Sequence, residues 1–294
     1  MAESSTLGFI GLGVMGGAMC ANTAKKHDGS VHAFDMNPAA LEAAKDAGAI
    51  PAGSVTEVAQ AAGIIFLSLP GGKQVKAVCE QIVEAARPGT IVVDLSTTSV
   101  AEARDVGAML AAKDMQFADA PVARTRAAAQ EGTLSIMVGA SEDLFARIEP
   151  LLRYMGSDVT LGGELGCGQV LKLVNNTLLF EHVAALSEMM VVAERAGVTP
   201  AKLVEAISLG SGDSFALRNH GLKSMVPREF PEKAFPATYT LKDLGYAIEL
   251  AEQMGVEPKV AKLAADYYQA AVDQGMGDSY FPTIIEVVDP RKKD

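Results

Sequence analysis

Short apolar runs alternate with helical patterns through the first half of the chain. "LGFIG" (7–11), "VHAFD" (31–35), "IIFLSL" (64–69), "IVVDL" (91–95), "MQFADA" (115–120) and "LSIMVG" (134–139) predict strands. Ala-rich stretches at 38–47, 73–86 and 99–112 predict helices between them, and another helix is expected from about Glu142 to Met155. Strands separated by helices imply a parallel sheet covered on both faces, because each crossover lays its helix against the sheet. The stretch "DAPVARTRAAAQEGTL" (119–134) shows no obvious amphipathic helix or strand. The pattern changes near Gly162. "GGELGCG" reads as flexible, and a helical pattern then runs from about Gly168 to Ala196, stopped by Gly197 with Pro200 just beyond. Helices are predicted over 200–209, 241–254 and 258–274, with no convincing strand; 210–214 and 226–238 read as loops. The expected organisation is an α/β domain over 1–164 and an all-helical domain over 165–294, joined by a long helix.

Composition narrows the possible partners. The chain has 294 residues, enough for two domains of about 150 residues each. Hydrophobic residues make up 49% and charged residues 21%, a globular balance rather than a disordered one. The formal net charge is -11 and no basic stripe occurs, which argues against a nucleic-acid partner. An acidic surface repels anions at long range, so any anion site must be built from local cations. The three cysteines, Cys20, Cys79 and Cys167, are widely spaced and form no CxxC. That pattern speaks against a disulfide framework or a zinc site and points to a reducing, cytoplasmic setting. The start "MAESSTLGFIGLG" has neither a basic n-region nor a long apolar h-region, so no secretory signal is expected. The most apolar long segment, "VLKLVNNTLLFEHVAALSEMMVVA", is interrupted by Lys172, Asn175, Asn176, Glu181, His182 and Glu188. A membrane span needs about 20 mostly apolar residues, so no membrane association is expected.

"FIGLGVMGGAM" places Gly11, Gly13 and Gly16 as GxGxxG between a predicted strand and a helix. Gly11 permits the tight turn, Gly13 lets backbone approach a pyrophosphate, and Gly16 lets helix and strand pack closely. Asp35 closes the second strand, 19 positions beyond Gly16, where a carboxylate accepts ribose hydroxyls. Together they predict a Rossmann-type, doubly wound dinucleotide domain. A carboxylate repels a 2′-phosphate, and Met36, Asn37 and Pro38 supply no arginine to bind one, so the expected cofactor is NAD rather than NADP. Leu69 and Pro70 end the third predicted strand of the sheet, and Ser96 and Thr97 the fourth; both ends should face the ligand crevice. Ser96 and Thr97 suit a helix N-cap equally well.

"QVLKLVNNTLLF" carries Lys172, Asn175 and Asn176 at helical spacings that put them on one face of the long helix. Polar groups within a largely apolar helix are costly if buried without purpose. A lysine beside the substrate oxygen donates the proton an alkoxide needs after hydride transfer, and takes it back in the oxidation direction. Asn176 is placed to hold the lysine or a substrate hydroxyl, with Asn175 as its neighbour on the substrate side. His27, His32, His182 and His220 show no metal or triad spacing and read as structural.

These residues give the chain its likeness. It resembles the β-hydroxyacid dehydrogenases, such as 3-hydroxyisobutyrate dehydrogenase and tartronate semialdehyde reductase, over nearly its whole length. The motifs are "FIGLGVMGGAM", "DAPV…GTLSIMVG", "GQVLKLVNN" and "TLKDLGYAIELA". The resemblance implies Lys172 as catalytic lysine and Asn176 as substrate ligand. It also implies Val14, Met15, Asp35, Leu69 and Thr97 lining the cofactor, with Lys242 closing over it. A helical second domain that forms a homodimer or homotetramer is implied too. The departure follows "DAPV". Where the family pattern has Ser-Gly-Gly, this chain has Ala123, Arg124 and Thr125. The loop looks like that of the 3-sulfolactaldehyde reductase branch, which reads Gly-Arg-Thr and whose arginine binds a sulfonate. Arg124 is then expected as the anion anchor, with Thr125 beside it, while Arg126 is solvated or structural. A broad 3-hydroxyisobutyrate- or serine-type dehydrogenase, and a non-catalytic dinucleotide-binding protein, are the alternative readings.

Overall fold

The computed structural model describes residues 6–232 and 234–290. The chain divides into two compact units, Met1–Lys172 and Leu173–Asp294. The break falls inside a continuous helix rather than in a linker.

In the first unit, strands β1 (Leu7–Ile10), β2 (Val31–Phe34), β3 (Ile50–Pro51), β4 (Ile64–Leu67), β5 (Ile91–Asp94) and β6 (Gln116–Asp119) lie parallel in the order β3-β2-β1-β4-β5-β6. This is the dinucleotide-fold order, with its switch point between β1 and β4. Leu7 pairs with Val31 on one side and Ile64 on the other. The helices between the strands are α1 (Val14–Lys26), α2 (Pro38–Asp46), α3 (Val55–Ala61), α4 (Gly72–Ala85) and α5 (Val100–Ala111). Alternate side chains enter different cores. Leu7, Phe9, Phe66, Ile91 and Val93 pack in one cluster, and Ile10, Ile65, Leu67 and Val92 in another. Because both of their faces are covered, β1, β4 and β5 read as unbroken apolar runs in the sequence, whereas β3, an exposed two-residue edge pairing, gives no such run and is not among the predicted strands.

Beyond β6 the sheet turns antiparallel. β7 (Val122–Ala123) and β8 (Leu134–Gly139) follow, with α6 (Arg126–Glu131) between them. A helix α7 (Glu142–Leu152) leads to β9 (Gly156–Gly163), which runs parallel to β8. Two readings are corrected here. The stretch after Asp119 is not irregular: Thr125 caps α6 through its hydroxyl, and Gly132 ends it at φ +69°. β9 runs to Gly163, so the "GG" of the supposed flexible joint is the end of a strand. Its outward positions are polar and largely exposed, which hid it. In the same 119–134 stretch, β7 is a two-residue pairing too short to show a period.

The second unit holds most of α8 (Cys167–Arg195), then α9 (Pro200–Ile207), α10 (Ala237–Gln253), α11 (Lys259–Ala271) and α12 (Ile285–Val288). Phe180 meets both Tyr268 and Phe281 edge to face at its centre, with Val183, Leu244 and Ile284 around them. Ala216–Met225, between the predicted elements, is a π-helix; hydrogen bonding to i+5 carries no 3.6-residue signature. A 3₁₀ turn at Phe281–Ile284 and the short α12 lie past the last predicted helix. Among the described residues, no helix is long and apolar enough to cross a membrane.

Candidate active site

The nucleotide cradle is built by the ends of β1, β2 and β4. Gly11 has φ +93°, and a Cβ there would collide with the Ser68 carbonyl oxygen at the end of β4. A Cβ on Gly16 would strike the Gly11 carbonyl oxygen. By contrast, a Cβ on Gly13 would meet nothing within 4 Å. So two glycines serve the fold, and the third leaves open space where α1 begins. No side chain caps α1, and its first N–H groups present a positive helix end. Asp35 lies just past β2. One carboxylate oxygen accepts the Leu12 N–H at 2.6 Å and the other the Asn37 N–H at 2.7 Å. The carboxylate is thereby fixed beside the glycine turn. These features fit a dinucleotide: an open backbone approach, an uncapped helix end and a held acidic group. Val14 is half exposed at this edge, and Met15 is partly buried against the core.

Two further strand ends are tied together. The Leu69 N–H donates to the Ser96 hydroxyl at 2.8 Å, and the Ser96 N–H to Asp94 at 3.0 Å. Ser96 therefore joins the β4 and β5 ends. It is not the helix cap that the sequence allowed: Ser99 caps α5, in a reciprocal pair with Glu102. Pro70 is exposed and Thr97 partly buried at this edge.

The first turn of α8 is seated on the ends of β5 and β6. Asp119, fully buried, accepts the Gly166 and Gln169 N–H groups, each at 2.7 Å. It thus satisfies donors that a helix start leaves open. Burial pushes its carboxyl up to about 6, against the pull of those two donors and Arg104. Gln169 is also fully buried; its amide donates to the Ser96 carbonyl at 2.9 Å and accepts the Thr98 N–H at 3.1 Å. Sequence reasoning missed both residues. The available signal was a polar residue closing an apolar strand, and a glutamine one turn before the lysine.

Lys172, 9% exposed, follows on α8 and is the last residue of the first unit. In the second unit, the Asn176 amide donates to Asp243 at 2.8 Å and to this carboxylate Lys242 is also paired at 3.2 Å. Asn176 and Asp243 are buried, whereas Asn175 is exposed and donates to the Asn176 side chain at 3.1 Å. Lys242 also lies 5.2 Å from the centre of the Tyr246 ring. Asp243, next to the predicted Lys242, was not singled out from the sequence.

Arg124 has φ +88°, unusual for a residue with a side chain. Its guanidinium donates to the Thr133 carbonyl at 2.6 Å and the Ser157 hydroxyl at 2.9 Å, and pairs with Asp158 at 2.8 Å. The Thr125 hydroxyl accepts the Ala128 N–H at 3.3 Å. Both substrate residues predicted in this loop are thus engaged within the protein, Arg124 with β9 and Thr125 with α6. Arg126 is exposed as the first residue of α6. His220, expected to be structural, is buried and shares a 2.7 Å hydrogen bond with the Tyr280 hydroxyl. No group of three or more His, Cys, Asp or Glu suited to a metal occurs among the described residues.

The sheet order and the glycine cradle, with Asp35 held beside it, define a dinucleotide-binding protein. Comparison with known proteins agrees. Residues 6–163 match the NAD binding domain of 6-phosphogluconate dehydrogenase, and residues 166–288 match the family described as NAD-binding of NADP-dependent 3-hydroxyisobutyrate dehydrogenase. The chain is 34% identical to 2-(hydroxymethyl)glutarate dehydrogenase of Eubacterium barkeri, over 98% of this chain and 96% of that one. It is 33% identical to 2-hydroxy-3-oxopropionate reductase of Escherichia coli (strain K12), over 85% of each. A solved structure of Mycobacterium tuberculosis 3-hydroxyisobutyrate dehydrogenase with L-serine superposes with a TM-score of 0.89 at 31% identity, covering 98% of this chain and 100% of that one. The chain belongs to the β-hydroxyacid dehydrogenase family and is an NAD-binding enzyme acting on a CH–OH group.

Proposed function

We propose that the chain moves a hydride between NAD and a small anionic 3-hydroxyacid or its aldehyde, with Lys172 as the general acid and base. The observation that supports this most directly is the burial of Lys172 on a helix whose first turn is bonded to the β5 and β6 ends. Ligands of open α/β sheets bind outside those carboxyl ends. When bound, NAD supplies the hydride acceptor. The Lys172 ammonium donates a proton to the substrate oxygen during reduction, and the neutral amine removes it during oxidation. Asn176, oriented by Asp243, holds the substrate hydroxyl, with Asn175 at its edge. Lys242 covers the nicotinamide end, and Val14, Met15, Leu69, Pro70 and Thr97 line the nucleotide. Asp35 selects NAD over NADP. The active form is a homodimer or homotetramer.

Arg124 is the proposed anion anchor, with Thr125 beside it. A multi-donor planar fork suits a sulfonate or a more distant carboxylate. The substrate anion then takes the place that Asp158 fills in this structure. A carboxylate dehydrogenase of 3-hydroxyisobutyrate or serine type is the second reading, favoured by the M. tuberculosis relative solved with L-serine.

The deciding experiment is NAD and NADP reduction with dihydroxypropanesulfonate, 3-hydroxyisobutyrate, glycerate, serine and 2-(hydroxymethyl)glutarate, using wild type and Lys172→Ala. Turnover of one of these by wild type, with a loss of at least a hundredfold in the variant, is expected. Activity in Lys172→Ala within tenfold of wild type would remove the lysine from the mechanism. A preference for serine or 3-hydroxyisobutyrate over the sulfonate would select the second reading. Tight NADH binding with silence across the panel would favour a non-catalytic role.

A further inference from the structure

We propose that Gln169 is a positioning residue for proton transfer, holding the Lys172 turn of α8 at a fixed distance from the Ser96–Thr98 loop. The inference rests on the reading of Lys172 as the acid and base.

The side-chain amide of Gln169 bonds to the backbone on both sides of Thr97. It donates to the Ser96 carbonyl and accepts from the Thr98 N–H. Only one orientation of the amide satisfies both partners, because one offers a lone pair and the other a proton. The same residue's N–H is held by Asp119 at 2.7 Å. One buried residue therefore links the β5 and β6 ends through main chain and side chain together.

The opposite side of the turn has no slack. A Cβ on Gly168 would lie 2.5 Å from the Met137 carbonyl oxygen and 2.8 Å from that of Asp119. A Cβ on Gly139 would lie 2.8 Å from the Gly168 nitrogen. The helix backbone thus rests directly on β6 and β8, and Gln169 fixes it from the β5 side. A leucine could fill the same volume. The polar amide is explained by the two backbone groups it serves, which would otherwise be buried without partners.

Lys172 lies three residues further along the helix, about 4.5 Å along the axis and on the same side. Any slide or rotation of the first turn is passed through a rigid helix to the Lys172 backbone, and so to the root of the side chain that carries the ammonium. Thr97 sits between the two clamped backbone groups. Thus Gln169 sets the separation between the proton donor and the loop expected to line the nucleotide. A displacement of about 1 Å in a reacting group can cost about a hundredfold in rate.

The test uses Gln169→Ala, Gln169→Glu and Lys172→Ala in the full-length enzyme, each assayed well below its Tm with the best substrate of the panel. Gln169→Ala should lower kcat tenfold or more, while the substrate KM changes less than threefold. In the cofactor-free protein, hydrogen exchange at the Thr98 amide should accelerate at least tenfold. In Gln169→Glu, an ionised carboxylate faces the Ser96 carbonyl, but a protonated one can donate to it. Its kcat relative to wild type should therefore recover toward acid pH, a profile that simple filling of space would not give. Loss of activity in Lys172→Ala with Gln169→Ala within twofold of wild type would overturn this inference alone. So would an unchanged Thr98 exchange rate. Retained activity in Lys172→Ala would instead overturn the assignment of the lysine, and with it the object that Gln169 positions.

Discussion

The Arg124 guanidinium and the Asp158 carboxylate lie 2.8 Å apart, joining the loop after β7 to β9. The Ser157 hydroxyl and Arg124 together hold Asp158 below the usual carboxylate range. Both side chains are largely open to solvent, so the pair contributes little to stability. An internal carboxylate that costs little to displace is suited to exchange with a substrate anion. Arg124→Ala should lower kcat/KM ten- to a hundredfold, the cost of one charge-assisted contact. Asp158→Asn should lower the KM for the anionic substrate two- to threefold. Steady-state kinetics on both variants decides the matter; a change below threefold for Arg124→Ala rejects the anchor.

Asp35 is held by two backbone N–H groups, which keeps its charge beside the glycine turn. Asp35→Ser should raise the KM for NAD about tenfold and narrow the gap to NADP, since the repelling charge is gone. Wild type should show the lower KM for NAD. A lower KM for NADP in the wild type would contradict the assignment.

His220 makes folding sensitive to acid. Burial, with help from Lys223, depresses its pKa from 6.5 to about 4. Above 6.5 the ring is neutral folded and unfolded, so its contribution is fully present. Between 6.5 and 4 the unfolded chain takes up a proton that the folded chain refuses, and stability falls. The whole effect is about 3 kcal/mol. Denaturant titrations should show this decline in wild type and a flatter profile in His220→Phe. Equal slopes in the two proteins would show that another group titrates.

The long helix α8 exposes an apolar row at Leu171, Val174, Leu178, Met189 and Val192, at spacings that keep to one stripe. Exposed apolar rows mark association surfaces. Light scattering should give a mass of at least twice 30.6 kDa. Val192→Glu should shift the protein toward the monomer without lowering its Tm by more than a few degrees. A monomeric wild type would leave this row to another use.

Legibility in the sequence followed the strength of local periodicity. β1, β4 and β5 are buried on both faces, and α8 carries a helical pattern over 29 residues, so each announced itself. β9 did not, because it is an edge strand with polar outward positions. The π-helix at Ala216–Met225 follows a spacing that no amphipathic template contains. The glycine turn, Asp35 at the end of β2 and the buried Lys172 stand out in the sequence because each belongs to a motif of short-range spacing. Asp119 and Gln169 were not, since their partners lie 47 to 73 residues away. Nor could sequence show that Arg124 is drawn onto β9, a contact settled by tertiary folding.

The three glycines of the cradle also differ in what their loss would mean. Gly11 and Gly16 are required by the polypeptide itself, whereas a Cβ on Gly13 would meet no protein atom within 4 Å. A descendant that abandoned redox chemistry would still keep the outer two in order to fold. Drift at the middle position alone would be the genetic trace of a lost nucleotide.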